Sequence, residues 1–498
     1  MKYANACIVP NHLFADQMRR PFTTVCRPAR LAVAAALCAS LPLPAQRPAS
    51  NSIRPLAYTR MVLPNGLVAL FNEDHSSPTV VVDVWYHIGS KDDKPGRTGV
   101  AHLCEHLITD GSPNIAQPQS ILYQSLGGTS PHTANTTEDI THYYFSVPSN
   151  ALETVLWAEG DRMAAPMSRA DSTKLAAART VIARERDQNI ENFPYGVYRE
   201  LTLAALFPEG HPYHMVPLPP VSDLYAASIE DLKSACLPYY VPNNATIAIS
   251  GDFDTKTAEK WVTHYFATIP RGPAPAHAPL TKALDHDLRL VLEDARANAP
   301  RIHFVWVGAS FVAPDRLALN ALGSILTLPR FGRLSKLLID DRKLATNVFG
   351  GNSDLEKSGV FELVVFPRPG ASLTAIETLV DSVVATLPTA PVSRRELARF
   401  NNYNADSAVT WLQTRFARAD TLAHGEVFAG NPIAYAKQVD AARRLTERDV
   451  QRAAGAYLTK PRVTMSLIPA GKLELIAKPE LPYTNVTPAS SLRRPTNP

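Results

Sequence analysis

The same order of predicted elements occurs twice along this 498-residue chain. In each half an apolar strand is followed by helices, further strands, long helices and a final apolar strand. The first series begins with the strand Thr79 to His87 and ends with the strand Ala245 to Ser250. The second series begins with Arg301 to Val307 and ends with Val463 to Ile468. A chain of this length exceeds what one hydrophobic core usually supports. The repeat therefore predicts two similar α+β domains.

Composition along the chain indicates where these domains begin and end. We expect a targeting segment, a first domain, a linker rich in Pro and Ala, a second domain and a flexible tail rich in Pro, Ser and Thr. The predicted bounds are, in that order, 1–50, 51–269, 270–285, 286–480 and 481–498.

The first 50 residues have the pattern of a secretory signal. Four arginines, the last of them Arg30, precede the apolar run from Leu31 to Leu43, and small residues follow it. Such a run is shorter than the roughly 20 residues that span a bilayer. The sequence predicts an exported protein, periplasmic in a bacterium, from which the signal is removed. Translation from Met1 or from Met18 remains open, as does the cleavage point.

Charge and hydropathy exclude some classes of partner. The formal net charge is only +4, and no basic run is present, so nucleic acid is not an expected partner. No stretch after the signal is apolar enough for a stable membrane span. Of the cysteines, only Cys104 and Cys236 lie outside the predicted signal. They could form one disulfide, but we expect two free thiols.

The residues that indicate chemistry lie in the His-x-x-Glu-His stretch from His102 to His106. On a helix, His102 and His106 share one face and can bind one zinc ion. Glu105 points toward the same side and is a candidate general base. A hydrolytic zinc usually has three protein ligands, and Glu185, on a predicted long helix, is the best candidate for the third. The alternative is an exposed glutamate paired with a neighbouring arginine.

Several stretches together resemble the pitrilysin/insulinase family of zinc peptidases, family M16. They are the metal-site stretch Arg97 to His106, the Pro64-Asn65-Gly66 turn, the strand Asp139 to Tyr143 and the helix Arg179 to Glu185. The resemblance extends from about residue 55 to 470. Its length matches the two-domain subgroup related to mitochondrial processing peptidase. The family fold implies two homologous domains, each a mixed sheet packed with helices, that form half of a clam-shell.

The resemblance implies a zinc-dependent endopeptidase that cleaves peptides or unfolded polypeptides, with its catalytic site in the first domain. His102, His106 and Glu185 would hold Zn²⁺, and Glu105 would be the general base. Family members bind substrate as an added strand on a sheet edge. The matching positions here are Thr133 and Ala134, where the family pattern has Asn-Ala.

One departure from the family concerns the second domain. The family usually has an Arg and a Tyr there that hold the substrate, but the matching positions are Ile339 and Thr346. We therefore expect this chain to be the zinc-bearing subunit of a heterodimer, whose partner lacks His-x-x-Glu-His but has the Arg/Tyr pair. A homodimer in which Arg342 or another residue substitutes is the less favoured alternative. Two other functions stay open, a non-catalytic assembly subunit of the same fold and a processing peptidase for one precursor.

Overall fold

A computed structural model of the chain describes residues 53–129 and 134–486. Its strands are β1 Thr59–Val62, β2 Val68–Glu73, β3 Thr79–Tyr86, β4 Ala134–Thr136, β5 Thr141–Pro148, β6 Ala245–Gly251, β7 Leu288–Asp294, β8 Arg301–Val307, β9 Ala345–Asp354, β10 Gly359–Pro367, β11 Arg462–Pro469 and β12 Thr484–Val486. Its α-helices are α1 Val100–Thr109, α2 Gln119–Ser125, α3 Leu152–Ala164, α4 Ser172–Arg186, α5 Tyr198–Leu206, α6 Val221–Leu224, α7 Ile229–Cys236, α8 Thr255–Phe266, α9 Arg316–Thr327, α10 Arg333–Ser335, α11 Leu373–Thr386, α12 Arg394–Trp411, α13 Arg415–Ala429, α14 Ala434–Ala442 and α15 Glu447–Ala453.

The strands form two six-stranded mixed sheets with closely related topologies. The first sheet has the order β1-β2-β6-β3-β5-β4, and the second has the order β12-β7-β11-β8-β10-β9. In both sheets the second and third strands are parallel, and the remaining central pairs are antiparallel. The α+β class and the duplication predicted from the sequence are therefore confirmed.

The second sheet contains two strands that the sequence did not lead us to expect. β7 lies directly after the predicted linker and pairs in parallel with β11. β12 pairs in parallel with β7 and lies inside the predicted flexible tail. Flexibility was therefore the wrong prediction for Thr484–Val486, because their backbone groups bond to a neighbouring strand. The remaining tail residues, 487–498, and the predicted signal lie outside the described residues.

The two halves exchange helices across their sheets. α13 belongs to the second half, but its Ala419, Leu422 and Ala423 pack against Val81 and Trp85 of the first sheet. In return, the end of α5 in the first half packs against the second sheet. The helix side contributes Leu203, Leu206 and the following Phe207, and the sheet side contributes Leu292, Val305 and Met465. The faces opposite these contacts are covered by helices of the same half. Within the first sheet, β4 is one edge strand and β1 is the other.

A disulfide joins Cys104 on α1 to Cys236 on α7, which contradicts the expectation of two free thiols. Both side chains are fully buried in the core beneath the first sheet. Their Cα atoms are 6.2 Å apart, within the range that a disulfide spans. The cysteines are 132 positions apart in sequence, so the pairing depends on how the two helices pack.

In the part of the chain that the structure describes, none of the helices has the length and apolar character needed to cross a membrane.

Candidate metal centre

Two helices bring the predicted metal ligands together. α1 carries His102 and His106 one turn apart, and α4, which packs against α1, carries Glu185 near its C-terminal end. The nitrogens Nε2 of the two histidines are 3.3 Å apart. Oε2 of Glu185 lies 3.3 Å from Nε2 of His102 and 3.7 Å from Nε2 of His106.

This spacing fits a tetrahedral zinc ion. Two ligand atoms at about 2.1 Å from such an ion are about 3.4 Å apart. The three candidate ligand atoms, two imidazole nitrogens and one carboxylate oxygen, are of kinds that zinc binds in catalytic sites. The side chains of His106 and Glu185 are partly exposed, so water and a substrate could reach the centre.

A backbone carbonyl fixes the orientation of His102. Nδ1 of His102 lies 3.1 Å from the carbonyl oxygen of Pro217, which can only accept a hydrogen bond. Nδ1 must therefore carry the proton, and in the neutral ring Nε2 is left with its lone pair toward Glu185. The next residue, Leu218, has its carbonyl bound by the buried guanidinium of Arg186, which immediately follows Glu185. The segment that orients His102 is thus bonded to the helix that carries Glu185.

The N-terminus of α1 has a cap that the sequence did not reveal. The hydroxyl of Thr98, just before the helix, donates to Asp223 and does not cap the helix. The backbone N–H groups of Gly99 and Ala101 donate to the carboxylate of Asp93, at 2.7 and 2.9 Å. Gly99 has a φ of +84°, which few other residues adopt readily. Burial raises the pKa of Asp93 to about 7, despite these bonds.

Glu105 lies beside the three candidate ligands, at a longer distance than they lie from one another. Its Oε2 is 4.0 Å from Nε2 of His102. The same oxygen accepts a hydrogen bond of 2.6 Å from the hydroxyl of Thr136 on β4. Sequence reasoning missed Thr136, although it lies two positions beyond Ala134 in the predicted edge strand, where alternation places it on the same face as Ala134.

The electrostatics of the centre suit a cation. Burial alone would raise the pKa of Glu185, but hydrogen bonds with His102 and His106 outweigh it and lower that pKa. Burial likewise opposes protonation of His102, yet the hydrogen bond with Glu185 and the charge of Glu105 raise its pKa. The carboxylate of Glu185 is therefore ionised at neutral pH. An ionised carboxylate between two imidazoles is a donor set that binds a divalent ion.

The two predicted substrate-binding residues have different outcomes. Thr133 lies outside the described residues, because 130–133 are not described. Ala134 begins β4 and pairs with Tyr143 of β5. The next residue, Asn135, pairs with His142 and points to the opposite face from Ala134 and Thr136.

The two matching positions of the second half are engaged within that half. Ile339 packs against the core of the second sheet, and the hydroxyl of Thr346 donates to the carbonyl of Phe366. The side chain of Arg342 is exposed just after a π-helical turn, Lys336–Asp341. Neither Ile339 nor Thr346 offers a guanidinium or a phenol to a substrate.

Two family models match the chain. The model described as "Insulinase (Peptidase family M16)" matches residues 68–207, which include all four predicted site residues of α1 and α4. The model described as "Peptidase M16 inactive domain" matches residues 226–403. Together they cover more than half of the chain.

Relatives and solved structures agree with these models. Zinc protease PqqE of Helicobacter pylori is 26% identical over 360 residues, which are 70% of this chain and 79% of that protein. Mitochondrial-processing peptidase subunit beta of Blastocladiella emersonii is 25% identical over 268 residues, 53% of this chain and 55% of that protein. A crystal structure of a protease from Helicobacter pylori has the same fold, with a TM-score of 0.75 and 22% identity over 84% of this chain and all of that one. With the duplicated sheets and the matching family models, these likenesses establish that the chain belongs to peptidase family M16, the insulinase family.

Proposed function

We propose that this chain is a zinc-dependent endopeptidase whose catalytic centre lies on α1 and α4. The observation that carries this proposal is the convergence of His102, His106 and Glu185 within 3.7 Å of one another, with Glu105 beside them. Relatives named as zinc proteases support it. A structural subunit would have no need of two imidazoles and a carboxylate in this spacing.

His102, His106 and Glu185 would hold the zinc ion. When bound, zinc lowers the pKa of a water molecule to about 7 and polarises a scissile carbonyl. Glu105 would accept the proton of that water and later donate it to the departing amine. Its carboxylate is nearly buried, at 7% exposure, so bulk water competes little for this proton.

The substrate would bind as an added strand beside β4. β4 is the edge strand of the first sheet that contacts Glu105, so its outer backbone groups are available for pairing next to the proposed centre. Main-chain pairing gives affinity with little dependence on side chains. Peptides or unfolded polypeptides therefore fit this edge, whereas a folded protein would first have to present an extended segment.

The test compares wild type with Glu105→Gln, which has the same shape but cannot act as a base. Both proteins are assayed for bound zinc and for cleavage of an internally quenched peptide of mixed sequence. We expect equal zinc content and a loss of cleavage of about 100-fold or more. Cleavage by Glu105→Gln at the wild-type rate would contradict the proposal.

We further infer that the chain acts as the zinc-bearing subunit of a heterodimer. Ile339 and Thr346 provide neither a guanidinium nor a phenol at the two positions where the family's substrate-holding pair is expected. A relative is named as one subunit of a processing peptidase. The purified chain should cleave weakly alone, and adding a family member that lacks His-x-x-Glu-His should raise kcat/KM at least tenfold. Full activity of the chain as a homodimer would contradict this part.

The N-terminal pattern supports export of the chain to the periplasm, with the signal removed. Fractionation of the native host and N-terminal sequencing of the recovered protein would test this. Recovery of an intact N-terminus from the cytoplasm would contradict export.

A further inference from the structure

The hydroxyl of Thr136 is committed to the carboxylate of Glu105. The distance from Thr136 Oγ1 to Glu105 Oε2 is 2.6 Å, and an ionised carboxylate can only accept, so Thr136 donates. Both residues are nearly buried, at 8% and 7% exposure. A hydrogen bond to a charged group in such surroundings is stronger than one between neutral groups in water.

The neighbouring hydroxyl of Thr141 is compatible with donation from Thr136 to Glu105. Thr141 lies opposite Thr136 in the β4–β5 register, and their hydroxyl oxygens are 3.1 Å apart. The hydroxyl of Thr141 is also within 3.0 Å of the carbonyl oxygen of Ile88. Whichever of these acceptors Thr141 uses, the proton of Thr136 remains directed at Glu105.

This bond leaves one carboxylate oxygen for chemistry. Oε2 is occupied by Thr136, and no residue among those described donates a hydrogen bond to Oε1 of Glu105. A base whose second oxygen is fixed cannot rotate away from the water that it must deprotonate. The hydroxyl thus orients Glu105 without taking up its basic site.

Thr136 also belongs to the edge that would receive the peptide. β4 is only three residues long, and Thr136 is its last residue. The backbone of this residue would lie beside the added strand while its side chain reaches the base. We infer that Thr136 is a positioning residue, which aligns Glu105 with a peptide bound along β4. This inference rests on the proposed function.

The experiment removes the hydroxyl while keeping the shape. Thr136→Val replaces the hydroxyl by a methyl group, and Thr136→Ser keeps the donor. Thr263→Val, at an exposed position of α8, is the matched control. Each variant is measured for zinc content, thermal unfolding, KM and kcat on the internally quenched peptide, in the assembly in which wild type is active.

We expect Thr136→Val to lower kcat about 10- to 100-fold, a part of what general-base catalysis contributes. Zinc content and KM should stay within about twofold of wild type. Thr136→Ser should recover most of kcat, and Thr263→Val should not differ from wild type. If Thr136→Val does not fold, the comparison is made between Thr136→Ala and Thr136→Ser.

Three results would overturn the inference. They are an unchanged kcat in Thr136→Val, a change confined to KM, and a loss of zinc that explains the loss of activity. The parallel Glu105→Gln variant separates the two hypotheses. If it is inactive while Thr136→Val is fully active, only the role of Thr136 fails, whereas an active Glu105→Gln overturns the proposed function itself.

Discussion

Nδ1 of His102 lies 3.1 Å from the carbonyl oxygen of Pro217, a residue far along the chain and outside the metal-binding helices. This contact fixes which ring nitrogen carries the proton. It therefore decides that Nε2, which lies 3.3 Å from Glu185, is the nitrogen available to a metal. Neither the identity of the acceptor nor the choice of nitrogen is visible in the His-x-x-Glu-His motif.

The role of Glu185 predicts a large change in zinc affinity. Glu185→Gln removes the charge of one proposed ligand and should weaken zinc binding by about 100-fold or more, since even partners outside the ligand shell contribute about 10- to 100-fold. Competition with a chromophoric chelator measures the affinity. The control is Glu230→Gln, an exposed glutamate in the first turn of α7. Equal affinities for the two variants would show that Glu185 is not a ligand.

The disulfide predicts a covalent link that survives digestion. Without reductant, proteolysis should yield a Cys104 peptide joined to a Cys236 peptide, and mass spectrometry detects the pair. The replacement of both cysteines by alanine should destabilise the chain by about 2–4 kcal/mol, because the bond closes a long loop in the unfolded state. Detection of both peptides as free thiols in protein purified without reductant would disprove the link.

A buried lysine connects the two halves of the chain. Lys91 forms ion pairs with Asp139, at 3.0 Å, and with Glu356 of the second half, and its side chain is only 3% exposed. The backbone N–H of Glu356 also donates to Asp139, at 2.9 Å. These contacts place both carboxylates around one cation inside the protein.

We expect Lys91→Met to lower stability strongly. It leaves the buried carboxylate of Asp139 and the partly buried carboxylate of Glu356 without this cation, a change that costs about 3–5 kcal/mol. The midpoint of urea unfolding measures the effect. Lys357→Met, at an exposed neighbouring position, should leave the midpoint unchanged. A stable Lys91→Met protein would mean that the ion pairs contribute little.

A second buried cluster predicts a pH dependence of stability. Asp420 on α13 lies near Asp83 and His142 of the first sheet. Burial, together with the charge of Asp83, raises the pKa of Asp420 from 3.8 to about 7. The folded chain therefore binds more protons than the unfolded chain between about pH 4 and 7, and stability falls as the pH rises through this window.

Asp420→Asn should remove much of this loss of folding stability with rising pH. Between pH 5 and pH 8 the variant should lose about 2–3 kcal/mol less stability than wild type, because the folded and unfolded chains differ by one proton over about two pH units and each unit corresponds to about 1.4 kcal/mol. Chemical unfolding at the two pH values measures it. Asp406→Asn, exposed on α12, should follow the wild-type profile. An identical profile for Asp420→Asn would show that Asp420 does not titrate in this range.

The amino-acid sequence by itself determined the local elements and the candidate ligands. Apolar runs predicted the central strands. The Asn65-Gly66 turn is a hairpin signal, and it lies between β1 and β2, which pair antiparallel. The spacing of His102 and His106 determined that the two imidazoles share a face as soon as a helix forms. These features depend on residues close together in sequence, so local patterns reveal them.

Contacts between distant segments were decided only by the tertiary structure. Three groups contact α1 from other parts of the chain, through contacts that local spacing does not encode: Thr136, Pro217 and Cys236. The exchange of α5 and α13 between the sheets is of the same kind. Packing selects such partners because an apolar face or a polar group must be satisfied by whatever segment the fold brings beside it. The sequence therefore supplied the ligands, and the fold supplied the groups that orient them.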